Sequence, residues 1–131
     1  MPLTFHPDRG TILICDFSSG FRPPEMVKVR PVIVVSPRRR QGSGLVTVIP
    51  LSSTAPTPPE PWHYCLPMGI YPPARAPMWA KCDMVATVAL DRLDRVKSRD
   101  IRGNRLYQTY QIGDHHLQAV LAGVRAALDF R

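Results

Sequence analysis

The chain has 131 residues, is 44% hydrophobic, and carries 17 Lys and Arg against 10 Asp and Glu, for a formal charge of +7. This length suits one domain with a single hydrophobic core, and no segment approaches the roughly 18 consecutive apolar residues that cross a bilayer, which excludes a membrane-spanning protein. Fifteen prolines argue against an all-helical fold, because proline interrupts helices, and favour short strands joined by stiff loops.

The beginning of the chain and its cysteines predict a reduced, cytoplasmic protein. Residues 1–10 contain no apolar segment of the signal-peptide type. The three cysteines, Cys15, Cys65 and Cys82, form no CxxC pair, so they indicate neither a disulfide framework nor a zinc site. We therefore expect core thiols, no metal site and no cofactor.

In chain order, the first half of the sequence predicts three strands. Each is a short run of apolar and β-branched residues, and the runs cover residues 10–17, 31–35 and 45–51. We expect Pro31 at the first position of the second strand and Pro50 at the end or an edge of the third. The second strand does not alternate polar and apolar residues, so both of its faces should be covered.

The second half predicts two further strands separated by loops. The strands cover residues 62–66 and 78–88. The segments 52–61 and 67–77 are rich in proline and have no apolar period, so they are predicted loops.

The end of the chain predicts a helix packed on the strands. Residues 91–104 are charged, and their pattern leaves helix and strand open. Asp114 is the predicted N-cap of a helix whose apolar residues follow helical spacing up to Leu128. Strands followed by one terminal helix indicate a single domain over residues 1–131, built as a small twisted sheet or barrel.

Basic residues cluster around the second predicted strand. Arg22, Lys28 and Arg30 precede it, and Arg38–Arg40 follow it. Such a cluster is usually only a solvated loop, but beside a sheet it can also hold phosphates. The sequence pI near 9.9 favours a nucleic-acid partner over an acidic or neutral one.

Three segments of the chain resemble the MazF/PemK family of toxin ribonucleases. They are Arg9–Ile12 with Glu25 and the run Arg30–Ser36, then Val48–Ser53, then Ala80–Asp83 followed by Thr87 and Val88. The order and spacing of these segments agree with the family, and a C-terminal helix is expected in the same place. The resemblance runs from about residue 7 to residue 128.

The resemblance implies a fold and an activity. The fold is mainly β with a C-terminal helix, a small SH3-like barrel of the kind shared by MazF, PemK and CcdB, with a core of about residues 7–128. The activity is that of a homodimeric, metal-independent, sequence-selective endoribonuclease that cuts single-stranded RNA to a 2′,3′-cyclic phosphate and a 5′-hydroxyl. Its partner would be the antitoxin of a type II pair, with an acidic, disordered C-terminal tail, and the complex of the two would bind DNA.

That reaction needs a base for the ribose 2′-hydroxyl, an acid for the leaving 5′-oxygen, and cations or donors aimed at the phosphate. Arg30 stands where the family has an arginine, and its guanidinium matches phosphate geometry; the alternative is a strand cap paired with Glu25. Ser52 stands where the family has threonine and would bind the scissile phosphate; the alternative is a turn serine bonded to its own backbone.

Asp83 is the candidate general base, and Lys81 is the candidate cation beside it. In the predicted strand the two residues share a face, which suits an acid/base pair and equally an ordinary salt bridge. Lys81 replaces the family's arginine and, as a point charge, does not bind phosphate bidentately. Cys82 should face the other way, into the core.

Further residues are expected to contact RNA without taking part in the reaction. These are Glu25, Lys28, Ser53, Arg38, Arg39 and Arg40. Trp62 and Trp79 are candidates for stacking on bases, although aromatic residues beside strands more often belong to the core.

Two other functions stay open on the sequence alone. One is a non-catalytic toxin of the same fold that binds DNA gyrase, which would have no reason to keep Arg30, Ser52 and Asp83 together. The other is an inactive RNA-binding relative, suggested by Ser52 and Lys81 in place of the usual residue types. The net charge of +7 attracts both RNA and an acidic antitoxin tail, so it does not separate these partners.

Overall fold

A computed structural model of the chain describes residues 3–38 and 42–130. Within these ranges the chain forms ten strands, one α-helix and short 3-10 turns. The strands and the helix are β1 (Thr11–Asp16), β2 (Val29–Val34), β3 (Leu45–Ser52), β4 (His63–Leu66), β5 (Met78–Lys81), β6 (Ala86–Ala89), β7 (Leu93–Asp94), β8 (Val96–Arg99), β9 (Arg105–Gln108), β10 (Tyr110–Gln111) and α1 (Gly113–Leu128).

Eight of these strands form one antiparallel sheet. Its order is β10-β1-β2-β3-β5-β4, with β6 pairing to β3 and β7 pairing to β1. The mainly β fold with one C-terminal helix is therefore confirmed, while the path of strand neighbours stays open rather than closing into a complete barrel.

The core lies on both faces of the central strands. One face carries an apolar cluster that includes Leu117 and Val120 of α1. The opposite face carries a second cluster, to which Phe17 and Leu93 contribute. Because neighbouring residues of a strand point to opposite faces, the run Val32–Val35 supplies both clusters in alternation. The prediction that both faces of this strand are covered is confirmed.

The predicted single strand over residues 78–88 is wrong, because the 3-10 turn Cys82–Met84 divides it into β5 and β6. Both parts pair with the same edge of β3, and the register shifts by three residues from one ladder to the other. The turn has that same length of 3 residues. A regular ladder has no place for the extra residues, so they leave the strand and form the turn.

Two prolines end the ladder between β2 and β3. Pro31 is the third residue of β2 rather than its first, and Pro50 lies inside β3. Proline has no N–H to give to a ladder, and the paired positions of β2 and β3 stop at Val32 opposite Pro50. Beyond that pair β3 continues by pairing with β5, which is how Pro50 comes to lie within the strand instead of at its end.

The C-terminal helix is confirmed, but its beginning differs from the prediction. Ile112 is the N-cap residue, without a side-chain cap bond, and Asp114 falls in the first turn. A carboxylate in the first turn still interacts favourably with the helix dipole. Gly113 has a φ of 80°, a left-handed conformation that glycine adopts at no steric cost, and this residue turns the chain from β10 into α1.

The charged segment 91–104 forms strands. It contains β7, which pairs with β1, and β8, which pairs with β9 in a separate two-stranded hairpin. In the part of the chain that the structure describes, no helix is long and apolar enough to span a bilayer.

Candidate functional site

A row of side chains crosses the sheet where the ladder between β2 and β3 ends. Arg30 pairs with Cys15 of β1, and Ser52 pairs with Trp79 of β5. Extending the β2–β3 register by two residues sets Arg30 opposite Ser52. Directly opposite residues of antiparallel strands present their side chains on the same face, so Arg30, Ser52 and Trp79 share one face of the sheet.

The side chain of Arg30 is half-buried, and its Nε atom is shielded from solvent. In residues 3–38 and 42–130 this Nε has no hydrogen-bond partner. A buried donor left without a partner costs about 1–3 kcal/mol. The described residues also contain no ion pair between Arg30 and Glu25, whose Oε1 instead accepts the backbone N–H of Arg22 at 3.3 Å. The guanidinium is therefore partly desolvated and has unused donor capacity.

Ser52 lies opposite Arg30 when the β2–β3 register is extended, and it is 8% exposed. Its Oγ accepts the backbone N–H of Thr54 at 3.2 Å, which is the local turn bond that the sequence offered as the alternative to a functional role. A hydroxyl that accepts one bond still has its own O–H to donate. Both roles are therefore compatible with the same side-chain position.

Lys81 and Asp83 do not share a strand face, and that expectation is wrong. Lys81 is the last residue of β5, whereas Asp83 lies in the 3-10 turn that follows. The described residues contain no ion pair between them. Lys81 pairs with His63 of β4 and, by extension of the β3–β5 register, lies opposite Pro50.

Asp83 is exposed and lines a groove together with Glu25 and Met26. The groove has a volume of about 380 Å³, and Phe17 and Phe21 contribute to its wall. The structure thus brings two sequence-predicted carboxylates, from the β1–β2 loop and from the 3-10 turn, to one groove.

Cys82, between Lys81 and Asp83, is a core residue as predicted. It is fully buried, and burial raises the pKa of its thiol to about 12. Trp62 packs against the cluster beneath α1, which favours the core interpretation of this residue over base stacking. Trp79 is half-buried on the face that carries Arg30.

The remaining predicted RNA-contact residues lie in loops. Lys28 and Ser53 are exposed, close in sequence to Arg30 and Ser52. Arg38 is also exposed and forms an ion pair with Asp8 at 3.3 Å. The predictions for Arg39 and Arg40 fall outside the described residues.

The contacts of Arg92 with the β1–β2 loop were not predicted from the sequence. Its Nη1 donates to the carbonyl oxygens of Asp16 at 3.0 Å and of Ser19 at 2.8 Å, and its guanidinium lies 4.9 Å from the ring centroid of Phe21. These hydrogen bonds of Arg92 therefore hold the β1–β2 loop, which carries Glu25, in place. Nothing in the sequence signals such a contact, because it joins residues more than 70 positions apart.

No group of three or more His, Cys, Asp or Glu side chains among residues 3–38 and 42–130 is arranged to hold a metal ion. The charged residues that the sequence predicted for the site and that the structure describes near these strands include Arg30, Lys81, Asp83 and Glu25.

Comparison with known proteins identifies the family. Residues 8–128 match the model of the PemK-like, MazF-like toxin of type II toxin–antitoxin systems, whereas no curated protein sequence matches the chain. MazF from Deinococcus radiodurans has 20% sequence identity and a TM-score of 0.64, over 95% of this chain and 98% of that chain.

Two further solved structures include an antitoxin. An endoribonuclease in complex with its cognate antitoxin from a Mycobacterial species has 18% identity and a TM-score of 0.64, over 95% of this chain and 97% of that chain. MazE–MazF from Deinococcus radiodurans has 20% identity and a TM-score of 0.64, over 95% of this chain and 97% of that chain. The similarity to these structures establishes the fold, and with the family match over residues 8–128 the chain belongs to the PemK-like, MazF-like toxins of type II toxin–antitoxin systems.

Proposed function

We propose that this chain is a sequence-selective endoribonuclease toxin that cleaves single-stranded RNA without a metal ion, leaving a 2′,3′-cyclic phosphate and a 5′-hydroxyl. The observation that carries the proposal is the half-buried Arg30, whose shielded Nε has no partner among the described residues; extension of the β2–β3 register places Ser52 opposite it. Family membership and the resemblance of these two positions to the family's arginine and threonine support it.

Arg30 would hold the scissile phosphate. A guanidinium remains charged at any working pH and presents a fork of donors that fits two phosphate oxygens. Its partly desolvated position strengthens the attraction for the extra negative charge that develops on the phosphorane. A bound phosphate oxygen would also satisfy the Nε donor that the described residues leave unpaired.

Ser52 would donate a hydrogen bond to the same phosphate. Its Oγ already accepts the Thr54 N–H, which restricts the rotamer, so the remaining O–H is presented without a large loss of side-chain entropy. Two donors on adjacent strands would then fix the phosphate from two directions, which is the arrangement that lowers the barrier for charge development.

The proton transfers would involve Asp83 and Lys81. A carboxylate at Asp83 would take the proton of the ribose 2′-hydroxyl as the 2′-oxygen forms its bond to phosphorus. As the bond from phosphorus to the 5′-oxygen breaks, that oxygen would accept a proton from the Lys81 ammonium. No atom is lost from the RNA and no water is consumed, so the products are a cyclic phosphate and a 5′-hydroxyl.

Other side chains would guide the RNA strand to this point. Lys28, Ser53 and Arg38 are exposed and would contact the RNA, and the sequence predicts the same for Arg39 and Arg40. Glu25, in the groove with Asp83, would accept hydrogen bonds from a base edge. Trp79, on the face of Arg30 and Ser52, would stack on a base.

Cleavage in the presence of EDTA tests this proposal. A long single-stranded RNA is incubated with the protein and the chelator, and a 5′-hydroxyl product is recognised by its labelling with a polynucleotide kinase. Arg30→Ala should lower the cleavage rate by about 10²–10³-fold, whereas Arg125→Ala, on the exposed side of α1, should leave it unchanged. Cleavage abolished by EDTA, or undiminished in Arg30→Ala, would contradict the proposal; capture of DNA gyrase without any RNA cleavage would support the non-catalytic alternative.

We further propose that the chain forms a homodimer in the cytoplasm and binds an antitoxin whose acidic tail covers the same basic surface. Two solved relatives include an antitoxin, and the net charge of +7 suits an acidic segment. Light scattering tests the dimer directly. A Glu- and Asp-rich peptide should inhibit cleavage by the unaltered protein, and failure to inhibit at low salt would count against a shared surface.

A further inference from the structure

The β8–β9 hairpin carries a basic face that the proposed reaction does not use. The hairpin is a two-stranded sheet separate from the main sheet. Lys97 lies opposite Tyr107, and Arg99 lies opposite Arg105, so these four side chains share one face. All four residues are exposed, and together they line a polar surface groove of about 370 Å³. We refer to them as the hairpin face.

Few carboxylates neutralise this face. Lys97 lies 3.8 Å from Asp94 at the base of the hairpin, and Arg99 donates to the carbonyl oxygen of Gly103 at 2.9 Å. Arg105 has no ion-pair or side-chain hydrogen-bond partner within residues 3–38 and 42–130. The guanidinium groups of Arg99 and Arg105 are therefore available to an anion.

The hairpin is attached to the main sheet at its base, and its turn is ordered by hydrogen bonds at its tip. At its base Val96 is 2% exposed, and β8 contacts β1 of the main sheet. At its tip the Asp100 carboxylate accepts the backbone N–H of Arg102 at 2.9 Å and that of Asn104 at 2.8 Å. A face whose backbone is already ordered loses less entropy when it binds a ligand.

A second surface groove borders the beginning of β8. This groove, of about 460 Å³, is lined by Val29 of β2 and by Val96 and Lys97 of β8, and the acidic residues Asp16, Asp91 and Asp94 also line it. Because neighbouring residues of a strand point to opposite faces, Val29 points away from the face that carries Arg30, and the hairpin face is therefore a surface separate from the proposed reaction site.

We propose that the hairpin face is a second surface that binds single-stranded RNA, with phosphates on Arg99, Arg105 and Lys97 and a base stacked on Tyr107. The exposed Tyr107 ring favours a nucleic-acid ligand over an acidic peptide as the ligand of the hairpin face. Tyr107 is 46% exposed and lies opposite a lysine, and a row of cations with an open ring is typical of surfaces that hold single strands. This inference rests on the proposed function, because it takes the ligand to be the RNA substrate.

Binding of a labelled 2′-O-methyl RNA of mixed sequence tests the inference without depending on cleavage, since this RNA has no free 2′-hydroxyl to attack. The variant Arg99→Ser/Arg105→Ser is compared with Arg75→Ser/Arg125→Ser, which loses the same charge at exposed positions outside the hairpin. The hairpin variant should bind more weakly, and its slope of log affinity against log salt should fall by roughly 0.7 for each lost phosphate contact. Equal affinity and equal slope in the two variants would overturn the inference.

Arg105→Ser alone serves as the structurally mild variant, because it removes no hydrogen bond of the hairpin turn. Tyr107→Ala should weaken RNA binding about tenfold through lost stacking, with the salt slope unchanged, whereas Tyr107→Phe should bind like the unaltered protein. If these variants instead weaken binding of a Glu-rich peptide and leave RNA binding intact, the face is a protein-binding surface and the inference is wrong. Failure of the proposed reaction would look different, because the unaltered protein would then bind RNA without cutting it.

Discussion

Gly123 of α1 lies directly against Cys82 of the 3-10 turn. A Cβ atom at position 123 would come 2.7 Å from the Cys82 Sγ and 3.1 Å from the backbone oxygen of Trp62. The helix therefore touches the turn that interrupts β5 and β6, and on the turn's solvent side Asp83 lines the groove it shares with Glu25. The close packing of α1 thus fixes the position of a candidate catalytic carboxylate.

This contact predicts that Gly123→Ala destabilises the protein. Alanine is favoured over glycine in a helix by about 1 kcal/mol, but a Cβ at 2.7 Å from Sγ and 3.1 Å from a backbone oxygen requires a shift of α1 or of the turn, and such overpacking costs about 1–3 kcal/mol. Urea unfolding should show a lower midpoint for the variant.

The double variant Cys82→Ala/Gly123→Ala is the control for the steric explanation. Removing Sγ should make the Gly123→Ala change less harmful than it is in the unaltered background. If Gly123→Ala is as stable as the unaltered protein, α1 accommodates the added Cβ by shifting without a loss of stability.

Ser52→Ala should reduce RNA cleavage by about 10²-fold because the proposed donor to the phosphate is lost. The same change also removes the turn bond to Thr54, so thermal unfolding is measured beside activity. Ser52→Thr keeps the hydroxyl and should retain activity. If Ser52→Ala and Ser52→Thr cleave equally well, the serine has only its turn role.

The three thiols should differ in reactivity. Burial raises the pKa of Cys15 to about 12, partly offset by the nearby Arg92, and burial raises that of Cys82 to about 12 as well. Cys65 is only half-buried. Mass spectrometry after brief alkylation at pH 8 should therefore find Cys65 modified first, and equal modification of all three thiols would contradict the buried positions.

The same pKa shifts predict a loss of stability at alkaline pH. A thiol whose folded pKa lies above its unfolded value of 9.0 stabilises the fold fully below pH 9, and that contribution is lost as the pH rises toward 12. Unfolding midpoints should fall over this range, and they should fall less in Cys15→Ala than in the unaltered protein.

Arg92→Met should lower activity although Arg92 lies outside the proposed reaction centre. The guanidinium donates to Asp16 and Ser19 and lies over Phe21, so its loss frees the loop that carries Glu25. Methionine keeps much of the apolar contact and removes the donors. We expect a several-fold rise in KM with a smaller change in kcat. Unchanged values of both would show that the loop keeps its active conformation without the Arg92 hydrogen bonds.

The sequence predicted the strands that are most apolar and the helix with clear periodicity, because both signals are local. It did not predict how far each strand runs. Pro31 and Pro50 are predicted at strand margins, yet both lie inside strands. Pro31 lies inside β2 because that strand pairs with β1 as far as Val29. Pro50 lies inside β3 because β3 continues by pairing with β5, a segment distant in the sequence.

The candidate site was predictable to the extent that its residues lie in regular strands. Extension of the antiparallel register of β2 and β3 sets Arg30 opposite Ser52. Lys81 and Asp83 were expected on one strand face, which failed because three residues of β5–β6 have no partner on β3 and form a turn. Alternation along a strand carries no information about a register shift imposed by the neighbouring strand.

The hairpin turn should weaken in acid before the rest of the fold does. The Asn104 backbone N–H, with further donors from Asn104 and Arg102, lowers the pKa of the Asp100 carboxyl below its ordinary value of 3.8. A carboxyl with a depressed folded pKa stabilises its turn above the unfolded pKa, and that contribution is lost as the pH falls through the folded pKa. Amide hydrogen exchange at Arg102 and Asn104 should therefore accelerate, relative to global unfolding, below pH 3.8.

Asp100→Asn separates the charge of Asp100 from its hydrogen bonds, because asparagine keeps one acceptor oxygen and does not titrate. In this variant, acidification should no longer accelerate hydrogen exchange of the Asn104 amide relative to exchange of the core amides. RNA binding by Asp100→Asn, measured at neutral pH with the 2′-O-methyl RNA, should weaken only if an ordered turn is needed to align Arg99 with Arg105. If the turn of the Asp100→Asn variant is still sensitive to acid, the titrating group is not Asp100.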